Sequence, residues 1–145
     1  MEATTFTAIT VSGTVNVSAD KAWEIWTNPE HVKNWNSASP DWHTPKAEND
    51  LREGGAFSFT MAAKDGSFSF DFGGVYDEVK PHELIRYTLG DGRKVTVRFS
   101  ANGNATDIEE TFDAEQTNPL EMQQAGWQAI LDNFIRYARA QHEPA

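Results

Sequence analysis

Residues 57–112, FSFTMAAKDGSFSFDFGGVYDEVKPHELIRYTLGDGRKVTVRFSANGNATDIEETF, read as an unbroken series of alternating strands. Phe57, Phe59 and Met61 recur at every second position, as do Phe68, Phe70 and Phe72. Ile85, Tyr87 and Leu89 follow the same rule, and so do Val95, Val97 and Phe99. Successive strand side chains point to opposite faces, so one face of the sheet is apolar and the other carries Ser, Thr, Lys, Arg and Asp. A twisted sheet with one apolar face needs a cover, and Asn118 to Gln141 is the later segment long enough to supply it. A curved sheet gripping one helix tends to leave a hollow between the two, and function is expected there more than in any catalytic motif.

The punctuation supports this reading. Asp50 to Gly55 is a tight turn before the Phe57 strand, and Lys64-Asp65-Gly66-Ser67 is a hairpin connection. Lys80-Pro81-His82, Gly90-Asp91-Gly92 and Asn102-Gly103-Asn104 are the next turns, and Ala105 to Phe112 is the last strand. Apolar parity changes from even (Phe70, Phe72) to odd (Val75, Val79) across Gly73-Gly74, which predicts a β-bulge or sharp bend at the glycines.

Upstream, Thr5 to Val17 reads as a first strand. Ser18 offers a helix N-cap, followed by a short helix with Ala22, Trp23 and Trp26 on its apolar side. Asn28-Pro29 opens a second short helix with Val32 and Trp35 inward. Asn36 to Pro45 is turn-rich and reads as a loop leading into a short strand. The closing helix begins with Asn118 as N-cap, Pro119 at N1 and Glu121 at N3, and Trp127, Ile130, Leu131, Phe134 and Ala138 form its apolar stripe. No repeat, linker or second domain is visible, so residues 1–145 are expected to form one α+β domain: strand, two short helices, about six antiparallel strands, long helix.

Composition excludes several classes. Hydrophobic residues make up 39% and aromatics 12%, with five Trp and nine Phe, which is globular and not disordered. The formal net charge is −10, and the 12 Lys and Arg are scattered, so nucleic acid and anionic membrane surfaces are not expected partners. No stretch approaches the run of about 18 apolar residues that a membrane helix needs. The N-terminus lacks the charged and apolar regions of a signal peptide, which makes the cytoplasm the expected location. With no cysteine, thiolate metal sites and disulfides are ruled out.

Chemistry-bearing motifs are sparse. His31, His43, His82 and His142 stand apart, without a His-x-His or His-x-x-x-His spacing, so neither a metal nor another cofactor is expected. No Gly-x-Ser-x-Gly elbow or phosphate loop occurs, and no catalytic residue is assigned. Gly54-Gly55 and Gly73-Gly74 read as devices that curve the sheet. In the last strand Thr106, Ile108, Glu110 and Phe112 share one side by parity. If that side is inward, Glu110 is either a polar handle in an apolar hollow or lies near the strand end and reaches water; the second is the expectation. Asp77 poses the same question and is expected to reach solvent. Trp23 and Trp26 are expected in the core, whereas Trp42 and Trp127 are placed between core and cavity wall.

Longer stretches carry a resemblance. Asn28-Pro29-Glu30-His31-Val32-Lys33-Asn34-Trp35 and Asp50-Leu51-Arg52-Glu53-Gly54-Gly55-Ala56-Phe57 are two of them. Gly74-Val75-Tyr76-Asp77-Glu78-Val79-Lys80-Pro81-His82-Glu83-Leu84-Ile85 and Gly126-Trp127 complete the set. Together they resemble the activators of heat-shock protein 90 ATPase homologues, within the START/SRPBCC superfamily that includes the birch-pollen allergen and polyketide cyclases. The resemblance spans nearly the whole chain. It implies a helix-grip fold, a curved antiparallel sheet of about six or seven strands around one long C-terminal helix, with a cavity between them. It also implies that inward residues such as Phe59, Phe72, Tyr87, Phe99 and Trp127 line that cavity. No universal catalytic residue is implied.

The leading expectation is therefore a binding protein for a small hydrophobic or aromatic molecule. Its candidate contacts are Trp42, Phe59, Met61, Phe70, Phe72, Tyr87, Val97, Phe99, Glu110, Trp127 and Leu131. One alternative is a polyketide-cyclase-like enzyme with Glu110 as its acid or base. Another is a co-chaperone domain in contact with a chaperone, against which stand the expected lone domain and the absence of a basic docking patch.

Overall fold

The computed structural model describes residues 7–37, 41–90, 92–116 and 118–142. β1 (Ala8–Val15) leads into α1 (Ala19–Thr27) and α2 (Pro29–Trp35). There follow β2 (Trp42–Asn49), β3 (Ala56–Ala63), β4 (Ser69–Lys80), β5 (Leu84–Leu89), β6 (Lys94–Asn102) and β7 (Ala105–Asp113), and then α3 (Leu120–His142). The strands form one antiparallel sheet in the order β1-β7-β6-β5-β4-β3-β2. Six successive strands thus meander, and β1 closes the far side by pairing with β7. The sheet curls as a half-barrel with α3 along its concave side, the α+β helix-grip arrangement.

The period-two pattern carries this architecture. Val95, Val97, Phe99, Ile85, Tyr87, Ile108 and Phe112 are all buried on the concave face, as are Ile9, Val11 and Val15 of β1. From α3, Leu131, Phe134 and Ala138 are buried against them. α1 and α2 are tied down by polar bonds that their own sequence supplies. The Asn28 side chain caps α2 by accepting from the Glu30 amide at 3.0 Å, and the Trp35 indole donates to the Ile25 carbonyl at 3.0 Å. Ser18 has extended N-cap backbone, but its hydroxyl donates to Asp20 at 2.5 Å and does not cap an amide.

Four local expectations are corrected. The β-bulge falls between Tyr76 and Glu78, while Gly73 and Gly74 remain in regular register opposite Ser58 and Phe57. Phe72, Gly74 and Tyr76 keep one parity, and the slip at Asp77 is what turns Val79 toward the core, leaving Val75 46% exposed. The two glycines answer a different need: a Cβ would lie 2.5 Å from the Phe57 carbonyl oxygen at Gly73 and 2.4 Å from that of Thr88 at Gly74. They let β3 and β5 close tightly on β4.

Second, α3 begins one residue late. The Pro119 carbonyl accepts the first helical bonds, from Met122 and Gln123, and the Asn118 side chain donates to Glu115 at 2.8 Å and does not cap. Third, Trp42 opens β2 and is not part of a loop. Fourth, Phe68 and Phe70 share the inward parity but are 59% and 42% exposed, because they extend past the covered part of the face. Thr5, Phe6, Ala38, Ser39, Pro40 and Asp91, which figured in the predicted first strand, loop and turn, lie outside the described residues. Among the described residues no helix is long and apolar enough to cross a membrane.

Two glycine substitutions separate close approach from propensity. Gly74→Ala forces a methyl onto the Thr88 backbone and is expected to lower stability by about 2 kcal/mol or more. Gly126→Ala, in α3 with nothing within 4 Å of the added carbon, is expected to raise it by up to about 1 kcal/mol. Chemical denaturation of both variants checks the opposite signs.

Candidate functional site

Curvature brings residues from β3, β4, β5, β7 and α3 around a cavity of about 200 Å³. Its wall is aromatic. Phe57 lies within 4.8–6.0 Å, ring centre to ring centre, of Phe59, Phe72, Tyr76 and Tyr87. Trp127 of α3 stacks flat on Phe112, centroids 3.9 Å apart and planes within 7°, and meets Phe72 edge-on at 6.0 Å. Trp26 of α1 and Trp35 of α2 close the end, 4.9 Å from each other and each about 5 Å from Phe134. These interlocked rings have little rotameric freedom, so the wall is largely preformed.

Of the residues singled out from sequence, Phe59, Met61, Phe70, Phe72, Tyr87, Glu110 and Trp127 line this cavity. The other four lie elsewhere. Val97 and Leu131 are fully buried in the core, and Phe99 is buried beneath Trp23 and Trp26. Trp42 packs against Phe68 and Phe70 at the rim. Conversely, Trp26, Trp35, Asn36, Phe57, Tyr76, Ile85 and Ile130 also line it. Phe57, Ile85 and Ile130 carried the right periodicity in the sequence. Trp26 lay on the apolar side of α1 and was expected in the core, and Asn36 carried no apolar signal; the angle at which α1 and α2 meet the sheet, which brings both to the cavity, is a tertiary property.

Glu110 is the outstanding feature, and its surroundings correct the expectation that it reaches bulk water. It lies mid-strand in β7, opposite Val97 of β6 and Val11 of β1, and is only 5% exposed. Neither oxygen forms a hydrogen bond or ion pair with a described residue. Among the described residues no fully enclosed side-chain oxygen or nitrogen lacks a partner, so the carboxyl opens onto the cavity it lines. Burial lifts its pKa from the usual carboxylate range to about 8, leaving it mainly protonated at neutral pH. Tyr87, also buried and lining the cavity, has its pKa raised well above the normal phenol value, by burial first and then by the Glu110 charge. Three other polar groups of the wall have partners, the Trp35 indole among them. The Tyr76 hydroxyl donates to Asn49 at 2.5 Å, and the Asn36 carbonyl accepts from Thr44 at 2.6 Å. Asp77 is exposed, as expected, and accepts from the Thr88 hydroxyl.

The Glu110 environment makes a stability prediction. Its folded pKa of about 8 exceeds the unfolded value near 4.5. The contribution is therefore intact below pH 4.5 and is lost as pH rises toward 8, because only the unfolded chain ionises freely in that window. Glu110→Gln should flatten the decline between pH 5 and 8 by roughly 3–4 kcal/mol, read from urea denaturation at each pH.

The Activator of Hsp90 ATPase homolog 1-like protein family matches residues 16–139. The solution structure of an AHSA1-like protein from Aeromonas hydrophila is 40% identical, with a TM-score of 0.88 over 96% of this chain and 99% of that one. A protein of known solution structure from Cytophaga hutchinsonii is 55% identical, with a TM-score of 0.79 over 94% of this chain and 96% of that one. A crystal structure from Chromobacterium violaceum, 23% identical with a TM-score of 0.82 over 96% of this chain and 99% of that one, shares the fold. No match to a curated protein is found. Sheet, helix and sequence agree, and the chain belongs to the Activator of Hsp90 ATPase homolog 1-like family of the SRPBCC superfamily.

Proposed function

We propose that this protein binds a small, largely apolar molecule in the hollow between the sheet and α3. The observation that carries the reading is the aromatic-walled cavity of about 200 Å³. An apolar cavity of about 150 Å³ in another protein is enough to hold benzene. An aromatic ring system burying about 150–250 Å² gains roughly 4–6 kcal/mol at about 25 cal/mol per Å². Association itself costs about 4 kcal/mol or more, so a bare hydrocarbon should bind weakly, and a physiological ligand needs further contacts. The cytoplasm is proposed as its location.

The test is NMR titration of the protein with isopropylbenzene and naphthalene, following the indole signals of Trp26, Trp35 and Trp127. Saturable shifts at those indoles are expected, with dissociation constants from high micromolar to millimolar. Ile130→Trp, which fills the cavity from α3, should abolish them without lowering the melting temperature by more than a few degrees. Titrations without saturable shifts, or shifts that survive Ile130→Trp unchanged, would sink the reading.

The family match supports a second reading, contact with a chaperone ATPase. Here the expected outcome is retention of the Hsp90-class chaperone on the immobilised protein and a rise in its ATPase rate. No retention and an unchanged rate remove this reading and leave the first untouched.

A further inference from the structure

The cavity wall is not uniformly greasy, and its polar groups limit what it accepts. Among the described residues no Lys, Arg or His lines it. An anionic head group would therefore enter an aromatic, poorly solvated space facing only an acid, with no countercharge to offset its lost hydration. Val11 of β1 and Val97 of β6 flank Glu110, its charge acts on Tyr87 of β5, and Ile85, Tyr76, Trp127 and Ile130 from β5, β4 and α3 line the same cavity. Arg93 acts electrostatically on Tyr87. A cationic ligand would first have to ionise Glu110 in that setting. The form held at neutral pH is instead a protonated carboxyl beside a neutral phenol.

Those two O–H groups are the second observation. Buried Thr106, Thr44 and Gln123 all have partners: Thr106 donates to the Val17 carbonyl at 2.8 Å, Thr44 to that of Asn36, and Gln123 to those of Glu115 and Asn118. Glu110 and Tyr87 have none among the described residues, yet both line the same space, and the Glu110 charge acts on the Tyr87 phenol. Cross-strand pairing explains the proximity. Ile85, Val97 and Glu110 form one row across β5, β6 and β7, and Tyr87 is two residues further along β5 on the same face. A carbonyl oxygen has two lone pairs, enough to accept from both O–H groups. Paired neutral O–H donors of this kind, a tyrosine and a protonated carboxylic acid in an apolar site, hold a ligand oxygen in ketosteroid isomerase.

We infer that the ligand of this cavity is a neutral, flat, apolar molecule bearing a carbonyl oxygen, which accepts hydrogen bonds from Glu110 and Tyr87. The inference rests on the ligand-binding reading above. It specifies an occupant with an aromatic or fused-ring body against Phe57, Phe72 and Trp127 and a ketone-type acceptor toward β7.

Acetophenone and isopropylbenzene test it, because the two have nearly the same shape and differ in the carbonyl oxygen. Titrated by NMR at pH 6, acetophenone is expected to bind about 3–10-fold more tightly per hydrogen bond formed. That preference should fade as pH rises past about 8 and Glu110 loses its proton, while isopropylbenzene affinity stays level. Tyr87→Phe should reduce the acetophenone preference about 3–10-fold and leave isopropylbenzene unchanged. Glu110→Gln, which keeps an N–H donor, should retain a preference but abolish its pH step. Equal affinity of the two probes, or a preference indifferent to pH and to both variants, overturns the inference while leaving ligand binding intact. Benzylamine binding that tightens as Glu110 ionises overturns it in favour of a cation. Binding of neither neutral probe overturns the ligand-binding reading and this inference with it.

Discussion

Seven strands at about 4.8 Å spacing span roughly 29 Å, whereas a helix with its side chains is about 10 Å wide, so α3 alone cannot cover the concave face. The fold meets this mismatch in two ways. Curl draws the edges of the sheet toward α3, and α1 and α2 are added at one end. α3 runs closest to β1, α1 lies over β6 and β7, and α2 lies beside β2. Side chains from β3, β4 and β5 must then bridge a wider gap, and it is there that Phe57, Phe59, Phe72, Tyr76 and Tyr87 gather. The cavity is what these rings leave unfilled, and its position follows from which strands lack a helix overhead.

Packing elsewhere keeps that space from collapsing. Trp127 is clamped flat against Phe112, and Trp26, Trp35 and Phe134 brace one another where the three helices meet. The Asn133 side chain donates to the Trp35 carbonyl at 2.8 Å, fixing α3 to the end of α2. Gly13 contributes at the other side, since a Cβ there would fall 2.5 Å from the Ile135 side chain. The helix is therefore held at several points around the hollow, and a buried acid can persist inside it at a stability cost the surrounding apolar burial offsets.

Much of the fold was legible because a sheet with one wet face has to alternate. The sets at Phe57, Ile85, Val95 and Ile108 could be read without any three-dimensional information, and so could the apolar stripe of α3. The misreadings share a cause. Parity identifies which side a residue faces, but not whether anything stands opposite. Phe68 and Phe70 face the covered side and are exposed; Val97 and Phe99 face it and pack into the core away from the cavity. The parity change after Phe72 was visible, but its position was not, because a bulge at Asp77 and a bend at the glycines predict the same apolar pattern at Val79. Glu110 was placed inward by parity alone, yet its distance from water depended on Trp127 and Ile130 arriving from a helix further along the chain.

By itself the sequence determined the order of elements, the apolar face of each strand and the family, because these rest on local periodicity and local motifs. Tertiary structure alone decided which inward residues line a cavity and which fill the core. It also decided that Glu110 is buried without a partner among the described residues. The physical reason is that burial and dielectric are properties of the space between elements: they depend on how far a sheet curls and where a helix lands, and no single segment encodes either.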